Sequence, residues 1–358
     1  MTNDTDDMQT RISRSVACLT LGAVGDALGA PIEFLKLEEI REALGLKGLE
    51  GYEYAYGVLG PVTDDTQMTL FAAESLINAH IRGKERGVLA EYWTYTARSY
   101  VEWLTTQGRS NPAYAEVTTN KSDLQRLVAN QGQRAPGSTC ISALATMKRP
   151  PKPATNDSKG CGTVMRVAPV GIFFGNLSDV MDDDGLQYIY DRGAEDARIT
   201  HGHPAAADAS GVLACIIALC LRGSALRPSA EKALALSKTA EVKEICNRVL
   251  LLADQPLALE TYLAIGEGWV AEEALAMSLY CALQWENDEL DAHETMLFSV
   301  NHDGDSDSTG AITGNLIGAA GAQVPKKLLD PQTEAGSLVA MIRDYGERLI
   351  TVKDYTSR

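Results

Sequence analysis

The chain has 358 residues, of which 45% are hydrophobic and 22% charged, the usual balance of a globular protein. Lys and Arg number 32 and Asp and Glu number 48, so the formal net charge is −16 with the histidines neutral. A surface of this charge would repel nucleic acid and anionic lipid, and we expect neither nucleic acid nor a membrane as a partner.

No stretch reaches the roughly 18 consecutive apolar residues that span a bilayer. The best candidate, Ala205–Leu221, is interrupted by Asp208 and Ser210. The N-terminal residues are acidic and lack the apolar core of a secretory signal. The seven cysteines include no Cys-x-x-Cys pair, and several lie in apolar helical segments, as reduced cysteines do. We therefore expect a cytoplasmic protein.

Apolar positions at three- and four-residue spacing predict helices along most of the chain. Residues 1–10 are expected to form a mobile acidic tail and residues 11–358 a single domain, because no shift of composition marks a boundary. Alternation of β-branched residues is nearly absent, so the predicted fold class is all-α. The predicted helices are Ile12–Ala30, Met68–Ile81, Glu91–Leu104, Ser138–Met147, Asp191–Thr200, Ala206–Leu221, Ser229–Leu252, Leu257–Gly266, Ala271–Trp285, Glu294–Val300 and Gly310–Ala322.

A first cluster of hydroxyls and carboxylates, Thr63-Asp64-Asp65-Thr66, precedes one of these helices. Helix capping is one interpretation, since such side chains accept backbone N–H bonds and carboxylates suit the positive end of the helix dipole. Two adjacent carboxylates with flanking hydroxyls exceed what one cap requires. A ligand role for the cluster therefore stays open.

A second cluster, Asp303-Gly304-Asp305-Ser306-Asp307-Ser308-Thr309, leads into a helix rich in Gly and Ala. It is not an EF-hand loop, because residue 316, at loop position 12 when Asp305 is position 1, is Leu rather than Glu. The spacing of Gly310, Gly314 and Gly318 would let another helix approach closely.

A single acidic residue, Glu33, follows the Gly- and Pro-rich end of the first predicted helix, where it could be a surface charge or point into a cleft. If the fold brings Glu33 together with Asp64, Asp65, Asp305 and Asp307, the five carboxylates would repel one another unless cations lay between them. Hard oxygen ligands suit Mg²⁺, Mn²⁺ or Ca²⁺, and this much charge could hold two ions.

Five segments in this order, GDALGAPIEF, TDDTQMTL, SKGCGTVMR, THGHP and GDSDSTGAITGNLIGA, resemble the successive motifs of the ADP-ribosylglycohydrolase family. The resemblance extends from about residue 12 to residue 323. It implies a compact orthogonal helical bundle with a central dinuclear metal site that holds two divalent cations, Mg²⁺ or Mn²⁺.

The resemblance also implies roles for individual residues. The catalytic residues would be Glu33, Asp65 and Asp305. The metal ligands would be Thr63, Asp64, Asp65, Asp305, Asp307 and Ser308. Residues Ser158–Arg166 resemble the glycine-rich loop that wraps the ADP-ribose, and His201 resembles a histidine near it. The substrate would bind through Ser158, Gly160, Cys161, Gly162, Thr163, Met165, Arg166 and His201.

Three of these assignments carry further expectations. Relatives often have Asn at the position of Cys161, so that contact is left open. A core or capping role remains the alternative for His201. We expect the region of Arg166 to supply local positive potential for the phosphates of the substrate.

The implied function is metal-dependent removal of ADP-ribose from modified protein side chains, with ADP-ribosylarginine as the expected linkage. The form of the second motif, with Ser308 as its hydroxyl, resembles that of the arginine hydrolases. The alternative is an immunity protein that neutralises an ADP-ribosyltransferase toxin by direct binding as well as by hydrolysis. The expected partners are an ADP-ribosylated protein and, under the alternative, the cognate toxin. We expect the protein to be a monomer.

Overall fold

The computed structural model describes residues 2–117, 122–178 and 181–355. Within these ranges nearly all regular structure is helical, which confirms the all-α prediction. A short antiparallel hairpin is the exception, formed by β1 (Tyr54–Ala55) and β2 (Val58–Leu59). The α-helices are α1 (Thr2–Gly29), α2 (Leu37–Leu44), α3 (Asp64–Arg86), α4 (Tyr92–Thr106), α5 (Asp123–Gln131), α6 (Ser138–Thr146), α7 (Ala168–Leu177), α8 (Asp183–Arg198), α9 (Pro204–Leu221), α10 (Leu226–Leu234), α11 (Ala240–Leu252), α12 (Leu259–Leu263), α13 (Ala271–Glu286), α14 (Ala292–Val300), α15 (Ser306–Ala320) and α16 (Glu334–Thr351).

Helices α1 and α15 pack antiparallel and so closely that backbone meets backbone. A Cβ atom built on Gly25 would lie 2.1 Å from the carbonyl oxygen of Gly310, and one on Gly314 would lie 2.1 Å from that of Leu21. Only glycine fits at such positions. The expectation that a helix packs closely on Gly310, Gly314 and Gly318 is thereby confirmed. Helix α1 contributes glycines of its own to the contact.

This packing places the C-terminal end of α1 against the N-terminal end of α15. A Cβ atom on Gly29 would lie 2.3 Å from the backbone nitrogen of Asp307, whereas Gly318, a residue near the other end of α15, faces Ala17. Side chains that follow α1 are therefore brought to the start of α15, although most of the sequence lies between them.

Helix α9 forms the centre of the second half of the molecule. It is apolar and long enough to cross a membrane, yet 94% of that stretch is buried inside the protein, against α7, α8, α10 and α13. Its buried carboxylate, Asp208, accepts hydrogen bonds from the hydroxyls of Tyr190, Ser237 and Thr239. In this structure α9 is therefore the central helix of a bundle, with its acidic residue fully engaged.

That carboxylate explains one difference between the predicted and observed helices. The predicted helix Ser229–Leu252 is two helices, because the backbone N–H groups of Lys238 and Thr239 donate to Asp208 instead of continuing a helical ladder.

Other predicted helices differ in length or were missed. The prediction Leu257–Gly266 shortens to the single turn of α12. Helix α7 was not predicted as a helix; all but one of its ten residues are buried, so its sequence carries no amphipathic period. Helices α2, α5 and α16 were also missed.

The first helix begins earlier than the prediction Ile12–Ala30. Met8 and Ile12 pack against the hydrophobic core, and Arg11 donates to the side chain of Asn176 at 3.0 Å, which extends the helical contact toward the N-terminus. The residues expected to form a tail are helical from Thr2 onward. Met1 lies outside the described residues, and the mobility of the tail stays a prediction.

We expect Gly314→Val to destabilise the protein by about 1–3 kcal/mol or more, because the added atoms overlap the backbone of α1 and force the two helices apart. Urea unfolding would measure the loss. Gly51→Ala is the control, since a Cβ atom there has no neighbour within 4 Å, and its change should stay within about 0.5 kcal/mol. Equal stability of both variants would contradict the close packing.

Candidate active site

A cleft of about 340 Å³ opens where the ends of α1, α3 and α15 meet. The loop before α6 and the glycine-rich loop form two of its sides. It contains 11 of the 15 predicted site residues. The lining residues are Glu33, Phe34, Asp64, Asp65, residues 135–140, residues 160–162, Met165, His201, Trp269, Asp305, Asp307 and Ser308.

A buried aspartate of α1 holds the first acidic motif in place. The Asp26 carboxylate accepts hydrogen bonds from the backbone N–H groups of Thr63 and Thr66, each at 3.0 Å, and from both of their hydroxyls. Burial and the nearby charge of Asp307 raise the pKa of Asp26 to about 7, while these hydrogen bonds lower it in part. The start of α3 is thus fixed to α1, with Asp64 and Asp65 facing the cleft.

The second acidic motif is held at the start of α15. Asp305 caps the helix by accepting from the N–H of Ser308 at 3.3 Å, and its own N–H donates to the carbonyl of Glu267 at 2.9 Å. Asp307 also accepts from the N–H of Ser308, at 2.9 Å. Capping alone therefore uses only part of the oxygen atoms that the two carboxylates offer.

The carboxylates from three separate motifs converge. Glu33, Asp305 and Asp307 each place an oxygen within 4.8 Å of the others, and Asp64 and Asp65 line the same cleft. We call these five residues the acid cluster. Burial raises the pKa of every one, and repulsion among the carboxylates raises the pKa of Glu33, Asp64, Asp65 and Asp307 further.

Two oxygen atoms of the acid cluster are buried without a hydrogen-bond partner, Oδ2 of Asp65 and Oε2 of Glu33. A buried unpaired carboxylate is costly, and repulsion from its neighbours adds to the cost. A divalent cation would relieve both, and carboxylate oxygens are the ligands that hard cations prefer. The residues present therefore fit the metal site that the sequence predicted here.

The glycine-rich loop forms the opposite wall of the cleft. The N–H of Cys161 donates to the carbonyl of Trp269 at 3.1 Å, and the N–H of Ala271 donates to the carbonyl of Lys159 at 2.8 Å. A Cβ atom on Gly160 would lie 3.3 Å from Nε2 of His201, and one on Gly162 would lie 3.1 Å from Sγ of Cys140. Small residues are needed because these side chains pack directly on the loop.

His201 lines the cleft but is almost fully buried. Its Nδ1 lies 2.8 Å from the hydroxyl of Thr200. Burial, together with the charge of Arg166, lowers the pKa of His201 to about 3. The imidazole is therefore neutral at physiological pH and acts as a hydrogen-bonding surface beside the loop.

The thiol of Cys161 lies within the acid cluster. Its Sγ is 2.6 Å from Oδ2 of Asp305 and 3.6 Å from the hydroxyl of Ser308. Burial and the charges of Asp305 and Asp65 raise the pKa of this thiol well above its usual value. The chain thus presents a sulfur atom to the predicted metal ligands.

The structure corrects the expectation for Arg166. Its guanidinium is fully buried, donates to Asp196 at 3.1 Å, to the carbonyl of Gly162 at 2.8 Å and to Thr200 at 2.9 Å, and lies 4.4 Å from the ring centre of Tyr100. These contacts hold α8 and the glycine-rich loop together. Arg166 does not line the cleft, and none of the described residues that line it is Lys or Arg.

Three other predicted residues lie behind the walls of the cleft. The hydroxyl of Thr63 donates to Asp26 at 2.8 Å and accepts from the N–H of Asp65. Ser158 lies 3.0 Å from the hydroxyl of Thr139, and the hydroxyl of Thr163 donates to the carbonyl of Gly160 at 3.4 Å. Direct roles for the three in metal or substrate binding stay predictions.

Comparison with known proteins identifies the family. A family model described as ADP-ribosylglycohydrolase matches residues 7–356. The chain belongs to the ADP-ribosylglycohydrolase family. The predicted resemblance is thereby confirmed, and with it glycohydrolase activity in its general form.

Two individual proteins are similar to this chain over most of its length. A protein of Archaeoglobus fulgidus, described as uncharacterized, is 26% identical over 327 residues, which cover 87% of this chain and 89% of the relative. A solved structure titled "ADP-ribosylglycohydrolase-related protein complex" superposes with a TM-score of 0.59 at 22% identity, covering 96% of this chain and 99% of that chain. The solved structure shows that the two proteins share a fold.

Sequence reasoning missed several residues of this ADP-ribosylglycohydrolase site, among them Asp26, Phe34 and Trp269. Asp26 and Phe34 both lie in the motif GDALGAPIEF, where the signal for Asp26 was an acidic residue among small apolar ones within a helix. Trp269 gave no signal. The rings of Phe34 and Trp269 stack at the edge of the cleft, with centroids 5.3 Å apart and an interplanar angle of 20°, and Phe34 adopts a φ of 71°, which is rare for an aromatic residue.

We expect His201→Asn to make the glycohydrolase less sensitive to acid. The pKa of His201 is about 3 in the folded protein and about 6.5 when unfolded, so the unfolded state takes up a proton as the pH falls through 6.5 and the free energy of unfolding drops. Without the imidazole, the free energy of unfolding should change less steeply with pH, by up to about 1.4 kcal/mol per pH unit, the value for one proton. Urea titrations between pH 4.5 and 7 would measure it; identical slopes would show that His201 titrates normally.

Proposed function

We propose that this ADP-ribosylglycohydrolase removes ADP-ribose from modified arginine side chains, using two divalent cations, Mg²⁺ or Mn²⁺, at the acid cluster. The observation that carries the proposal is the pair of buried, unpartnered oxygens of Asp65 and Glu33 beside the carboxylates of Asp305 and Asp307. Because these two oxygens accept no hydrogen bond, the carboxylates of Asp65 and Glu33 are available to contact a substrate or a cation.

The ligands proposed for the cations are Asp64, Asp65, Asp305 and Asp307 with the hydroxyl of Ser308, all at the edge of the cleft. When bound, such cations polarise oxygen atoms and lower the pKa of water. Asp26 and the capping bonds of α15 hold these ligands in fixed orientations, so little conformational entropy remains to be lost on binding.

The reaction adds water across the bond between C1″ of ADP-ribose and a guanidine nitrogen. The C1″–N bond breaks, the water oxygen joins C1″, and a water proton ends on the released arginine. Glu33 and Asp65 have carboxylate oxygens available to accept that proton in transit and to stabilise positive charge at C1″. Burial of these groups keeps bulk water from competing for the proton.

The phosphates of the substrate need a partner other than Arg166. The first turn of α6 lines the cleft, together with the hydroxyls of Ser138 and Thr139. The start of a helix carries partial positive charge and free N–H groups, which suit phosphate oxygens. We assign the phosphates to this turn.

The chemistry of the cleft favours a cationic leaving group. Its lining holds five carboxylates and no described Lys or Arg side chain. Two divalent cations offset four of the five negative charges, so the cleft keeps a net negative charge that attracts a guanidinium. The stacked rings of Phe34 and Trp269 add flat aromatic faces against which a guanidinium packs well.

The cellular setting is proposed from the sequence alone: a cytoplasmic monomer whose partner is an ADP-ribosylated protein. Nothing in the described part of the chain specifically favours the immunity-protein alternative, and toxin binding stays a prediction. Deletion of residues 1–10 would distinguish the hydrolase from the immunity protein, since it should weaken toxin binding through the tail and leave hydrolysis intact.

We expect Asp65→Asn to lower kcat/KM for ADP-ribosylarginine by about 10²–10⁴-fold, the range for loss of a general acid–base group. Its melting temperature in EDTA should be equal or higher, because one repelling charge is removed. Release of free ADP-ribose and thermal melting are the readouts. Asp157→Asn, at an exposed position of the loop before Gly160, is the matched control. Near wild-type turnover of Asp65→Asn at limiting Mg²⁺ would contradict the assignment.

We expect kcat/KM to favour an arginine-linked over a serine-linked ADP-ribosyl peptide of matched sequence by at least about tenfold, since a cation–π contact of about 1–2 kcal/mol corresponds to that factor. The preference should shrink in Trp269→Leu and at high salt. Equal or serine-favoured values would refute arginine specificity and leave the family membership intact.

A further inference from the structure

The position of Cys161 is unlike that of the other cysteines of the cleft and core. Its Sγ lies 2.6 Å from Oδ2 of Asp305, and its backbone N–H is tied to Trp269, so the thiol is held against the start of α15. Cys140, the other cysteine that lines the cleft, lies instead against Nη1 of Arg166 at 3.4 Å and the carbonyl of Gly162 at 3.9 Å.

A second observation points to a ligand at the same place. Asp65 is only 3% exposed, and its Oδ2 is buried without a hydrogen-bond partner. Asp65 and Cys161 line the same cleft. A sulfur and a carboxylate with an unsatisfied oxygen thus border a common space.

We infer that Cys161 is a sulfur ligand of the metal site, so that this centre binds thiophilic divalent cations such as Cd²⁺ and Co²⁺ more tightly than an all-oxygen site would. The inference rests on the proposed function, which places cations at the acid cluster. On binding, the thiol releases its proton to the solvent and the thiolate joins Asp305 and Asp65 as a donor. Soft thiolate donors select such metals, whereas carboxylates alone favour Mg²⁺ and Mn²⁺.

The direct readout is the ultraviolet charge-transfer band of a sulfur–cadmium bond. Titrating the reduced full-length protein with Cd²⁺ should produce a band whose intensity stops rising once the site is full. The band should be lost in Cys161→Ser and in Cys161→Asn. Two substitutions are made so that the test does not depend on the folding of one variant. It should persist in Cys140→Ser, the matched cysteine of the same cleft.

Affinity provides the second readout. Cys161→Ser should weaken Cd²⁺ binding by at least about tenfold while changing Mg²⁺ binding by less than about threefold, because only the soft donor is removed. Mg²⁺ affinity follows from the rise of the melting temperature with Mg²⁺ concentration.

The outcomes separate this inference from the proposed function. A protein whose melting temperature rises with Mg²⁺ but which shows no Cd²⁺ band, or retains the band in both Cys161 variants, overturns the sulfur ligand and leaves the proposed function standing. A protein whose melting temperature ignores Mg²⁺ and Cd²⁺ alike overturns the metal site and the sulfur ligand together.

Discussion

The contact of backbone with backbone between α1 and α15 is the constraint on which the site depends. Gly25 and Gly310 leave no room for a single carbon atom between the two helices. Because the helices are antiparallel, this contact fixes the end of one against the start of the other, and the positions of Glu33, Asp305 and Asp307 follow from it. A wider helix pair would separate their carboxylates.

The acid cluster carries an energetic cost that the rest of the fold must offset. Burial raises the pKa of all five carboxylates, repulsion raises that of four of them further, and two of their oxygen atoms lack partners. Asp26 and Asp208 show how the same fold treats an acidic residue with a purely structural task, surrounding it with backbone and hydroxyl donors. The unpartnered oxygens of Asp65 and Glu33 contrast with these fully bonded structural carboxylates, and the contrast supports the role proposed for the acid cluster.

Much of this was available from the sequence. Helical periodicity predicted the fold class, and the motifs named most of the residues that line the cleft. Local patterns could not show the convergence of Asp64 and Asp305, because nothing near either residue refers to the other; the order of family motifs supplied it. Arg166 was misassigned because an arginine in a glycine-rich loop has the same sequence pattern whether it faces solvent or Asp196. Trp269 is placed beside the cleft by a hydrogen bond from the N–H of Cys161 to its backbone carbonyl. Such backbone contacts leave no mark on side-chain patterns.

The cleft combines two kinds of surface with different freedom to change. Its floor consists of the ends of α1, α3 and α15. Helices α1 and α15 cannot shift without breaking a contact of backbone atoms, and the start of α3 is held by the carboxylate of Asp26. Its walls are loops, among them residues 135–137, residues 160–162 and the turn that carries Phe34, together with the first turn of α6. Substitutions in the walls can reshape the space around a leaving group while the floor keeps its geometry. Such a division lets one hydrolytic centre be refitted to new modified proteins by changes in loops alone.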